Sequence, residues 1–182
     1  VGDKTVPQPA TMIVLSKTDE GWDSQEVTDE DAAVFHKAII HTDGQVYAIT
    51  GGDPKKPEQV AYFKRWTPDD TGALGPPTTL WTGQWAGKKQ RLRDFEIGDV
   101  DGDGADEVVI ATHDQGVIVV LDEVFSDKDI QAQELDLKEN TYVHEIELGD
   151  VDGDGVLEFF ATPSEPNKST STQAGDVVMY TH

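Results

Sequence analysis

Apolar residues along this chain fall in short runs rich in Val, Ile, Phe, Tyr and Trp, and Gly, Asp, Asn or Pro breaks almost every run. Such runs are strand signals, and the breaks are turn signals. They predict strands at Met12–Leu15, Asp23–Val27, Val34–Ile40, Val46–Ile49, Val60–Trp66 and Thr79–Trp81. Further strands are predicted at Phe95–Ile97, Val108–Ala111, Val117–Leu121, Ile130–Leu135, Ile146–Leu148, Phe159–Ala161 and Asp176–Tyr180. Helical periodicity is poor, and only Thr28–Val34 and Phe125–Gln131 could each hold a helical turn. Pro7, Pro9, Gly72–Pro77 and the Ser/Thr-rich stretch Pro163–Thr172 read as loops.

Two stretches are near copies. Arg93 to Thr112 and His144 to Thr162 share the core Gly-Asp-Val-Asp-Gly-Asp-Gly, and equating Asp99 with Asp150 gives a period of 51 residues (150 − 99). In each, a short strand enters an Asp/Gly loop, an apolar strand leaves it, and a third strand follows a turn. A degenerate copy lies upstream, where the loop is reduced to His41-Thr-Asp-Gly-Gln45. Four short antiparallel strands recurring at about 40–50 residues describe a propeller blade. The expected fold is therefore all-β. It is a β-propeller segment with a partial blade at 11–28, a degenerate blade at 34–86, a blade at 93–137 and an incomplete one at 143–182. About three and a half blades fall short of the roughly 4–8 that close a ring. Another protein chain, or blades missing from a larger parent, is expected to complete it.

The two loops carry the clearest chemistry. Asp99, Asp101, Asp103 and Glu107 occupy loop positions 1, 3, 5 and 9, as do Asp150, Asp152, Asp154 and Glu158. Alternate spacing brings several carboxylates around one point as the backbone curls, and the intervening glycines permit the curl. Position 7, Ala105 and Val156, would offer a backbone carbonyl. Hard oxygen donors in this number suit Ca²⁺, whereas Mg²⁺ prefers to keep waters in strict octahedral geometry. No His joins the array, which argues against zinc. An EF-hand needs Glu at position 12 and flanking helices, but Ile110 and Ala161 stand there, within strand material. Without a cation, clustered carboxylates would repel one another. Two Ca²⁺ sites are the expectation.

Composition then divides the charge. Of 182 residues, 36 are acidic and 14 basic, giving a net −22 with no cysteine. The sign excludes nucleic acid and anionic membrane surfaces as partners, and no apolar run could span a bilayer. The missing cysteines exclude disulfides, thiolate metal sites and cysteine catalysis. Val1 in place of Met reads as a processed or partial chain. With Asp106, the loops hold nine of the 36 acids, and two Ca²⁺ would take −22 to −18. The remaining 27 are scattered, as on a highly soluble surface.

The two Asp/Gly segments resemble the FG-GAP/VCBS type of repeat, found in integrin α-subunit propellers and many bacterial extracellular proteins. The likeness covers 93–182 well and 34–86 weakly. It implies a propeller with Ca²⁺ in the loop between the first two strands of a blade. The chain uses Glu at position 9 and lacks the Phe-Gly and Gly-Ala-Pro elements of integrin repeats, so it is more similar to the bacterial type. The resemblance implies a secreted, periplasmic or cell-surface interaction or scaffold module. The rival readings are a carbohydrate-active lyase or dehydratase propeller, and a non-catalytic lectin with a glycan ligand. For these, His36, Arg93 and His144 fall at comparable points by the first strand of successive blades. Trp22, Trp66, Trp81, Trp85, Tyr62 and Phe63 would serve as a sugar platform or, more simply, as packing. His41 and His113-Asp114 read as turn residues, and Lys88, Lys89, Arg91 and Arg93 as a basic cluster offsetting local acid repulsion.

Overall fold

The computed structural model describes residues 9–52, 60–85, 91–113, 116–136, 141–164 and 175–181. Every regular element among them is a β-strand, and all pairing is antiparallel between neighbours in sequence. The first sheet is a hairpin of β1 (Ala10–Thr18) and β2 (Gly21–Asp29). The second runs β3 (Val34–Ile40), β4 (Val46–Gly51), β5 (Ala61–Trp66), β6 (Thr78–Gly83). The third runs β7 (Leu92–Gly98), β8 (Glu107–Thr112), β9 (Val117–Asp122), β10 (Gln131–Asp136). The fourth has β11 (Tyr142–Gly149), β12 (Glu158–Ser164) and β13 (Val178–Tyr180).

The chain divides into two compact units, Val1–Gln84 and Trp85–His182. In unit 1, Val27, Val46, Ala48, Trp66 and Leu74 make a core against which Met12, Val14 and Phe35 pack. In unit 2, Val109, Ala111 and Ile118 of the third sheet meet Val143, Ile146, Phe159 and Ala161 of the fourth. β4 and β8 are buried along their whole length. They are covered on both faces, which is why they read as unbroken apolar runs rather than alternating ones.

The two helical turns do not form. Thr28 and Asp29 instead finish β2, opposite Thr11 and Ala10. Phe125–Ile130 makes turns and bends leading into β10. Cross-strand pairing overrides a weak local preference in both places. Pro163 lies not in a loop but in β12, opposite Val143. It falls beyond the stretch paired with β13, where a missing N–H is tolerated. Residues 165–174 of the Ser/Thr-rich stretch lie outside the described residues.

The first strand of each larger sheet carries an irregularity near its start. Register shifts occur between Phe35 and Lys37, between Leu92 and Asp94, and between Val143 and Ile146.

Candidate metal centre

The Asp/Gly loops leave the ends of β7 and β11 and return into β8 and β12, with Gly98 paired to Glu107 and Gly149 to Glu158. Their shape follows from local hydrogen bonds. Asp99 accepts from Gly102 N at 2.7 Å and from Gly104 N at 3.1 Å, and Asp101 accepts from Asp103 N at 3.0 Å. The second loop repeats this: Asp150 accepts from Gly153 N (2.7 Å) and Gly155 N (3.1 Å), and Asp152 from Asp154 N (3.2 Å). Gly102 and Gly104 have φ of 78° and 89°, and Gly153 and Gly155 of 82° and 93°. Side chains rarely adopt that region. At Gly102 a Cβ would also come within 2.9 Å of Val156 Cγ2. The loops touch, since Leu157 N donates to the Asp99 carbonyl at 3.0 Å.

Three of the four predicted carboxylates in each loop converge. One oxygen from each of Asp99, Asp101 and Glu107 lies within 4.8 Å of the others, and Asp150, Asp152 and Glu158 repeat the arrangement. That spread matches oxygens around one ion with bonds of about 2.3–2.6 Å. Asp103 and Asp154 are outside these groups; each accepts from the amide two residues on, Ala105 N and Val156 N, at 2.8 Å.

Glu107 decides whether the cluster suits a cation. It is only 1% exposed. Its Oε2 accepts from Val100 N at 2.8 Å, while its Oε1 is buried with no hydrogen-bond partner among the described residues. Burial pushes its carboxyl up to about 7, the Val100 bond opposes this, and the charges of Asp101, Asp103 and Asp122 add to it. An unsatisfied buried acid costs free energy unless something satisfies it. The residues therefore fit a divalent cation. Glu158, 6% exposed, holds Val151 N in the same way, but Asp150 and Asp152 are more exposed than their first-loop counterparts.

Residues 99–161 match the FG-GAP-like repeat. That stretch is similar to an FG-GAP-like repeat. The match covers both acidic loops and about a third of the sequence. No curated protein matches the chain. Within the FG-GAP repeat, the acidic groups are placed where they could hold a metal ion.

The degenerate loop in unit 1 is closed by protein groups alone. Asp43 accepts from Gln45 N (2.9 Å), Gln45 Nε2 (3.0 Å) and the Tyr47 hydroxyl (2.7 Å). His41 sits beside it, 3.4 Å from Asp43. Trp66 is fully buried 5.6 Å from Phe35, whereas Trp22 is exposed beneath Lys17. Trp85 donates to Glu134 at 2.8 Å. Phe63 stacks on Tyr47, and Tyr62 lies under Lys64. Trp66 and Phe63 belong to the core, whereas Trp22 is exposed. Arg91 and Arg93 are described; Lys88, Lys89 and Asp114 lie outside the described residues. Sequence reasoning missed Asp122, whose only signal is an acid ending the apolar run of β9. It also missed the buried pair Lys64–Asp29, which strand periodicity could not bring together.

Proposed function

We propose that the chain is a segment of a β-propeller, stabilised by two Ca²⁺ ions, that serves outside the cytoplasm as a protein-interaction or scaffold module. One ion is held by Asp99, Asp101, Asp103, Glu107 and the Ala105 carbonyl. The other is held by Asp150, Asp152, Asp154, Glu158 and the Val156 carbonyl. The observation that carries this reading is the buried, unpartnered Oε1 of Glu107 beside two further carboxylates. Ca²⁺ supplies the missing positive charge and fixes the loops further, so its binding stabilises the fold by linkage.

Two four-stranded antiparallel meanders, and FG-GAP-like loops linking the first two strands of the third and fourth sheets, support the propeller, with its remaining blades supplied by the parent protein or a second chain. The second loop, with exposed aspartates, suits the weaker affinities of extracellular Ca²⁺ modules. Calorimetry in Ca²⁺ and in EDTA tests the reading. The melting temperature of unit 2 should rise with Ca²⁺, and an unchanged value would overturn it.

A further inference from the structure

The irregular starts of β7 and β11 are tied together. Asp94, buried, accepts from Phe95 N at 2.9 Å and from Ile146 N of β11 at 3.0 Å. The residue after Arg93 thus grips the strand that carries His144. Bulges re-aim side chains and recur beside binding sites. His113 follows β8, its N donating to the Arg91 carbonyl at 2.9 Å. The His113 ring stacks on Tyr142 at 4.4 Å and meets His144 edge-on at 5.7 Å. Tyr142 and His144 are also edge-on, at 6.1 Å. The two imidazoles and the phenol are half-buried, and Arg93 is exposed. Burial first, then the charges of His113 and Arg93, holds His144 below its usual range, so the ring is neutral near pH 7. The cluster lies at the starts of β7 and β11, whereas the acidic loops leave their far ends.

This chemistry is unlike its surroundings. In a chain of net −22, it gathers an arginine, two imidazoles and a phenol. We propose that Arg93, His113, Tyr142 and His144 form a binding site for a carboxylated sugar. The Arg93 fork takes the carboxylate. The imidazoles offer ring nitrogens to the sugar hydroxyls, and the rings offer apolar faces to the sugar's C–H surface. A metal cation is disfavoured by Arg93, and a polyanion by the net charge. An acidic peptide would leave the hydroxyl-directed groups unserved. Asp94 is a positioning residue here. The site does not rest on Ca²⁺ binding.

Titration calorimetry on the full chain at constant Ca²⁺ tests it with three probes: a glucuronate-containing disaccharide, its methyl ester and an acidic dipeptide. The acid disaccharide should bind, and the ester should bind at least about ten-fold more weakly, as expected for loss of a charge-assisted contact. Arg93→Gln should cause a loss of similar size and Tyr142→Ala a clear loss, while Trp22→Ala in unit 1 leaves affinity unchanged. Absence of heat with the acid disaccharide at millimolar concentration would overturn the proposal. So would equal binding of the ester or dipeptide, or indifference to Arg93→Gln in a variant that melts as the parent does.

Discussion

Each unit buries a carboxylate, and the two treat it differently. In unit 1, Asp29 is 2% exposed and meets Lys64, 0% exposed, through both oxygens at 2.8 and 2.9 Å. In unit 2, Glu107 is as deeply buried, but its near neighbours are other acids and its Oε1 has no partner among the described residues. The loops show the same contrast. The short turn of unit 1 satisfies Asp43 with Gln45 and Tyr47, whereas the amides that hold Asp99 and Asp150 bring no positive charge. Where permanent neutralisation is needed, the chain supplies a lysine. Where acids are gathered without one, they are placed where they could hold a metal ion.

Breaking the internal pair should give the largest effect. Lys64→Met leaves Asp29 buried and unpaired, which costs about 3–5 kcal/mol. Urea unfolding of Lys64→Met together with Asp29→Leu should recover most of that loss, because replacing both partners removes the uncompensated charge. A single-variant loss below about 1 kcal/mol, the range of exposed pairs, would erase the contrast between the units.

Glu107 should respond with opposite sign. At roughly a hundred-fold excess over the dissociation constant, each bound ion adds about 2.7 kcal/mol. Segment-resolved hydrogen exchange should place the gain in unit 2. Glu107→Gln should abolish the first-loop gain. In EDTA the same change should be neutral or stabilising, since it removes an acid that burial disfavours. If it destabilises the metal-free chain as Lys64→Met does, Glu107 is an ordinary structural acid and the comparison fails.

Much of this was legible in the sequence because it is local. The β-branched and aromatic residues between Val34 and Ile40, bounded by turn residues, mark β3 as the structure has it, and unbroken apolar runs mark β4 and β8. The Asp/Gly spacing placed Asp99, Asp101 and Glu107 together, since a curled loop needs no tertiary partner. What stayed hidden depends on distance in sequence. Lys64 and Asp29 are 35 residues apart, and Asp94 and Ile146 are 52 apart. No period links them. Asp103 and Asp154 look equivalent to the other loop acids in sequence, yet they fall outside the two groups of three converging carboxylates. The helical turn expected at Thr28–Val34 gave way to the β1–β2 pairing, which no local rule could reveal.

The smallest effect separates the units by acid sensitivity. Burial alone would raise the Asp43 pKa, but the hydrogen bonds from Gln45 and Tyr47 outweigh it and hold the carboxyl below its usual 3.8. Its contribution is therefore present above that value and is lost as pH falls through the range beneath it. His144 is held below its usual 6.5, with burial the main cause. The unfolded chain takes the proton more readily, so this contribution is present above 6.5 and is lost as pH falls below it. On acidification in saturating Ca²⁺, unit 2 should begin to weaken at higher pH than unit 1. Tyr47→Phe should flatten only the acid limb of unit 1, and His144→Gln only the earlier limb of unit 2. Segment-resolved hydrogen exchange at stepped pH would show it, and limbs that begin together would mean that the units do not titrate separately. The histidine limb also bears on the proposed sugar site. A bound carboxylate beside Arg93 favours the protonated ring, so it should shrink that limb while leaving the limb set by Asp43 where it is.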